Sequence, residues 1–126
     1  MEVNELMIGD WVRLNDYPIQ VLGIEEGITV GRDNKPLFRV PADMLSPIRL
    51  TKEFLEKNGV ALEFGDCVFN SRLKLHYDKS LPIPEWEIRA TDDRQGWYIG
   101  IGYCSTVHEF QHLWSRYNGK TMVWKV

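Results

Sequence analysis

Gly9-Asp10-Trp11-Val12-Arg13-Leu14-Asn15-Asp16-Tyr17-Pro18-Ile19-Gln20-Val21-Leu22-Gly23-Ile24 is the stretch on which the reading of this chain turns. Gly9-Asp10 is a turn signal that leads into Trp11-Val12-Arg13-Leu14, a run with the apolar–polar alternation of a half-buried strand. Asn15-Asp16-Tyr17-Pro18 is a turn cluster, because Asn and Asp bond their own backbone and Pro presets φ. Ile19–Ile24 then reads as a second strand, β-branched at Ile19, Val21 and Ile24. The same rhythm continues. Glu25-Glu26-Gly27 turns into Ile28-Thr29-Val30, and residues 32–36 turn into Leu37-Phe38-Arg39-Val40, which Pro41 stops. Ala42–Leu45 fits one helical turn, and Pro47-Ile48-Arg49-Leu50 closes the segment. Short strands at this spacing predict a small antiparallel barrel over residues 1–50.

The strand spacing and the Gly-Asp entry to the first strand resemble an SH3-like or Tudor-like barrel. A linking helix over 51–58 follows. Thr51 suits the N-cap, Leu50 and Leu55 stand where a hydrophobic staple needs them, and Asn58-Gly59 supplies the stop. Strands return at Asp66–Phe69, Leu73–Tyr77, Trp86–Ala90 and Trp97–Ile101. Ser80-Leu81-Pro82-Ile83-Pro84 connects two of them, and Asp92-Asp93-Arg94-Gln95-Gly96 turns between the last two. A second helix over 106–117, ending at Asn118-Gly119, and a terminal strand Thr121–Val126 complete an α+β chain: barrel, linking helix, then an antiparallel sheet packed by one helix.

Composition narrows the function classes. With 15 basic and 18 acidic residues among 126, the net charge of −3 lacks the basic field that drives nucleic-acid binding. The amino terminus has no basic region followed by an apolar run, so a signal peptide is not expected, and no stretch is apolar enough for a membrane span. Cys67 and Cys104 are too few and too far apart for a disulfide scaffold and read as buried thiols in a reducing, cytoplasmic setting.

His108-Glu109-Phe110-Gln111-His112 fits H-E-x-x-H. Imidazoles four residues apart share a helical face and can ligate one Zn²⁺, with Glu109 as general base toward a metal-bound water. Several features weigh the other way. Residues 113–126 contain no Asp, Glu, His or Cys, so a third ligand has to come from upstream, with His76, Asp78 or Cys104 as candidates. Thr106-Val107-His108-Glu109 is also a capping box, which accounts for Glu109 without catalysis. Wound at 100° per residue, Val107, Phe110, Leu113, Trp114 and Tyr117 form the apolar face. His108 and His112 then fall on the opposite face beside Gln111, where a surface helix turns them to water.

Trp86, Trp97, Tyr98 and Tyr103 lie on adjacent expected strands. Exposed, they could hold a peptide or bases; the commoner arrangement is a core against Trp114 and Tyr117. Gly9-Asp10-Trp11-Val12, Pro47–Thr51, Leu55–Gly59 and Tyr103–Leu113, in that order, resemble a family of small uncharacterised proteins of Bacteroides-type gut bacteria and their phages or mobile elements. In that family the helix is Val-His-Glu-Leu-Gln-like and the last His varies, which implies a dispensable second zinc ligand. It transfers no activity to any residue here. The expected function is a non-enzymatic protein-binding or adaptor module with no cofactor and an unspecified protein partner. The alternatives are a zinc hydrolase using His108, Glu109 and His112, and a nucleic-acid-binding barrel.

Overall fold

Asn15 and the Asp33-Asn34 pair take positive φ of 56°, 52° and 61°, the left-handed backbone that tight hairpin turns need and that Asn and Asp tolerate best. These turns join β1 (Trp11–Leu14) to β2 (Tyr17–Ile24), and β3 (Ile28–Arg32) to β4 (Lys35–Val40). Leu14 pairs directly with Tyr17, so the first turn is only Asn15-Asp16, and Tyr17-Pro18 belongs to the strand and not to the turn expected there. The computed structural model describes residues 1–63, 66–70, 72–83, 85–92, 95–118 and 123–126, leaving aside the side chains of Glu63 and Asn70. It is α+β: among the described residues, two five-stranded antiparallel sheets and two α-helices.

Two compact units make up the chain. The first holds residues 1–49 and 106–111 with Val126; the second holds 50–105 and 112–125. In the first, β5 (Leu45–Pro47) returns to pair with β1, giving the order β4-β3-β2-β1-β5. Val12, Ile19, Val21, Ile28, Val30, Ala42 and Leu45 bury one face with Leu6. The Gly9-Asp10 turn has a local cause. Gly9 takes φ 100°, and the buried Asp10 carboxylate accepts the Met7 N–H at 2.8 Å.

Gly31, at a register shift between β3 and β4, is held by space. A Cβ there would overlap the Lys35 carbonyl oxygen, a backbone atom that cannot swing aside, and come within 2.9 Å of Leu22 Cδ1. Gly31→Ala is therefore expected to lower stability by roughly 1–3 kcal/mol, the usual effect of overpacking, read from the urea midpoint at unchanged slope.

The second unit begins with α1 (Lys52–Lys57). Thr51 Oγ1 accepts the Phe54 N–H at 3.1 Å. At the other end Gly59 (φ 70°) donates to the Glu56 carbonyl and Val60 donates to Leu55 at 3.0 Å, the paired bonds of a Schellman stop. β6 (Leu62–Glu63), β7 (Asp66–Asn70), β8 (Leu73–Asp78), β9 (Glu85–Asp92) and β10 (Trp97–Cys104) form a meander in the order β10-β9-β8-β7-β6. α2 (Val107–Asn118) follows. Phe69 packs on Trp114 and Tyr117 at centroid distances of 5.8 and 6.4 Å, and Trp124 meets Trp114 at 5.6 Å and Phe54 at 5.8 Å.

The expected terminal strand is not formed by residues 123–126, and Thr121 and Met122 lie outside the described residues. The Asn58 side chain holds this segment instead, donating to the Lys125 carbonyl at 2.8 Å and accepting its N–H at 2.6 Å. Pro84, Asp93, Arg94 and Gly119, assigned from sequence to a connector, a turn and a helix end, also lie outside the described residues. No helix among the described residues is long and apolar enough to cross a membrane.

Both cysteines are buried, and neither is in a disulfide. Burial, and secondly the charge of neighbouring Asp66, push the Cys67 thiol from near 9 up to about 12. Below pH 9 both folded and unfolded chains keep this proton. Between 9 and 12 only the unfolded chain releases it, so this group's contribution to stability declines as pH rises through that window. The wild-type minus Cys67→Ala difference in urea midpoint is expected to shrink across it. Iodoacetamide is expected to modify Cys67 only after unfolding.

Candidate functional site

Two regions carry the side chains singled out from the sequence: the start of α2 and strand β10. At α2, Thr106 caps as expected, its Oγ1 receiving the Glu109 N–H at 3.4 Å. The Glu109 carboxylate accepts the Thr106 hydroxyl at 2.6 Å, which ties it to the cap. The expectation that this face is solvated is corrected at two positions. His108 is only 4% exposed and Gln111 only 6%. The first turns of α2 are enclosed, with Val107, His108, Phe110 and Gln111 all buried, so the helix has no free polar side there.

Gln111 has a definite task. Its Oε1 accepts the Trp11 backbone N–H at 2.8 Å, and its Nε2 donates to the Gly9 carbonyl at 2.9 Å. It thereby satisfies the backbone where the chain enters β1. Sequence reasoning placed Gln111 on the polar face and missed this role, because its partners lie about 100 residues away.

The suggested third zinc ligands are engaged elsewhere. His76 Nδ1 lies 2.6 Å from Asp66 Oδ1, across the β7–β8 pair. Asp78 accepts the Ser80 N–H at 2.9 Å and its hydroxyl at 2.5 Å, bonds that hold its carboxyl below the usual range. Cys104 is buried. Among the described residues no three His, Cys, Asp or Glu side chains gather as a metal ion requires. His108 and Glu109 belong to the first unit and His112 to the second.

Strand β10 is the other region, and here the aromatic set divides. Trp86 on β9 is buried and packs against Tyr77 at a centroid distance of 5.0 Å. Trp97, Tyr98 and Tyr103 are not core residues, which corrects the expectation for them. With Ile99 and Ile101 they are 44–58% exposed. Register shows how this arises. Residues directly opposite share a face, so Trp97 (on Asp92) and Ile99 (on Ala90) look to one side, while Tyr98 (on Thr91) and Tyr103 (on Glu87) look to the other. Both sides of the strand are therefore apolar and exposed.

Its neighbour β9 supplies the polar part of the second side. Arg89 pairs with Glu87 and lies 3.9 Å from the Tyr98 ring centroid. Gly100 leaves the space that Glu87 fills, since a Cβ there would sit 2.8 Å from Glu87 Oε2. Partial burial, then the carboxylates of Glu87, Asp78 and Glu85, raise the Tyr103 phenol above its ordinary value. β10 lies at the end of its sheet, and its outer edge pairs with no strand among the described residues. No family model matches this chain, and comparisons with curated proteins and with solved structures find no match.

Proposed function

We propose that this protein is a non-enzymatic interaction module that binds an extended segment of a protein partner along β10. One observation carries the reading: an eight-residue edge strand with five large apolar side chains about half exposed. A free strand edge offers main-chain hydrogen bonds, and alternate side chains give selectivity, which is how strand addition recognises peptides. The first unit is then an SH3-like barrel serving as scaffold, consistent with its strand order β4-β3-β2-β1-β5. A reducing, cytoplasmic setting agrees with two buried cysteines outside any disulfide.

The hydrolase reading has less support, because His108 is buried and Glu109 is tied to the helix cap. The nucleic-acid reading gains nothing from β10, which carries no cation; Arg89 beside it is paired with Glu87. Selection from a displayed library of random linear peptides, counter-selected against Ile99→Lys, tests the proposal. Apolar, β-prone ligands that lose binding in Ile99→Lys are the expected result. An absence of any ligand dependent on Ile99, together with one zinc per chain that is lost in His112→Ala, would return the hydrolase to first place.

A further inference from the structure

Resting on that reading of β10, we infer that the segment it takes is β10 of a second copy of this chain, the two strands pairing antiparallel, edge to edge. Among the described residues the two sheets have four ends, and three are guarded in the ways that keep strand edges from pairing. β5 has three residues and β6 two. β4 carries Lys35, Pro36 and Arg39. β10 runs for eight residues without a charge or a proline.

The exposure pattern limits what can lie beside it. An incoming strand meets Trp97 and Ile99 on one face and Tyr98 and Tyr103 on the other, so it has to be apolar on both. β10 itself has that pattern. A two-fold pairing is also self-complementary, since the same patch serves both copies. Centred on Ile99, it sets no two charged residues of β10 opposite each other. The register shift between Gly100 and Gly102 confines the ladder to the first half of the strand. Aromatic side chains of about 150–250 Å² and isoleucines of similar size, half exposed, present on the order of 500 Å² per copy. With the ladder confined to the first half of the strand and both sheet faces left open, two copies bury well under about 1,000 Å², the size of a weak, transient contact.

Sedimentation equilibrium of the full chain from low to high micromolar concentration tests this, with wild type, Ile99→Lys, Ile101→Lys and, on the guarded edge, Phe38→Lys. All three positions are exposed, so folding is expected to survive, as circular dichroism will report. Wild type and Phe38→Lys are expected to pass from monomer to dimer, with the β10 variants weakened about tenfold or more. In wild type, amide exchange from Trp97 to Gly100 should slow as concentration rises. A mass that stays monomeric, or a dimer indifferent to both β10 variants, overturns the inference. A monomer that still yields Ile99-dependent peptide ligands overturns the second-copy assignment alone. A monomer without them overturns the strand-binding function as well.

Discussion

Gln111→Ala is expected to destabilise the protein by about 3 kcal/mol, a large share of a typical domain's total stability. Gln111 closes two backbone groups at once, accepting from Trp11 N–H and donating to the Gly9 carbonyl. The two losses are unequal. Gly9 O also accepts from Gln20 Nε2 at 3.0 Å and keeps that bond. The Trp11 N–H loses the bond that Gln111 makes to it in a buried setting, and an unmet buried donor costs about 1–3 kcal/mol. Removing the side chain also leaves a void, since Gln111 is buried. Gln111→Met separates the terms: it keeps the volume, loses both bonds, and is expected to recover only the packing part. Gln111→Glu keeps an acceptor for Trp11 but buries a carboxylate, and should be no better than Met at neutral pH. Urea unfolding gives the energies. Amide exchange at Trp11 gives the local signature, expected to accelerate in the Ala and Met variants more than at Val12.

The same residue shows where the sequence is legible and where it is not. Turns and caps could be read because their causes are local. Asp33-Asn34 and Gly59 adopt left-handed backbone that their own side chains permit, and Thr51 caps a helix three residues away. Strand boundaries followed to within a few residues for the same reason. β6 escaped notice because two residues have no periodicity, and only the pairing of Leu62 with Cys67 makes them a strand.

Burial around α2 was misjudged at His108 and Gln111. A hydrophobic stripe identifies one buried face, but it cannot reveal that another element closes over the polar one. The aromatics of β9 and β10 are the sharper case. Trp86 and Trp97 each open an expected strand, yet one is buried and the other half exposed. What separates them is position along the ladder, Trp86 opposite the buried Cys104 and Trp97 opposite Asp92 at the other end, and those pairings lie in no local window. The feature that best supports a function was therefore present as residues but not as a surface.

Trp86→Ala should cost about 3–5 kcal/mol, the range for emptying an aromatic site in a packed interior. Trp86 is 1% exposed, lies against the Tyr77 ring, and shares a face with Ile88 and Cys104. The sheet on either side is backbone-paired through β8 and β10, so it has little freedom to collapse into the void. Trp86→Phe is expected to be far milder, and for a reason beyond its smaller change in volume. The indole Nε1–H is buried with no acceptor among the described residues, so wild type already bears the desolvation of that donor. Phenylalanine removes the donor with the ring edge that carries it, and the gain offsets part of the lost packing. If the two variants differ by about 2 kcal/mol or more in urea unfolding, the indole N–H contributes nothing favourable and volume dominates at this position. If Phe proves as damaging as Ala, Nε1 has an acceptor in the folded protein and the interior around Trp86 is polar enough to supply one.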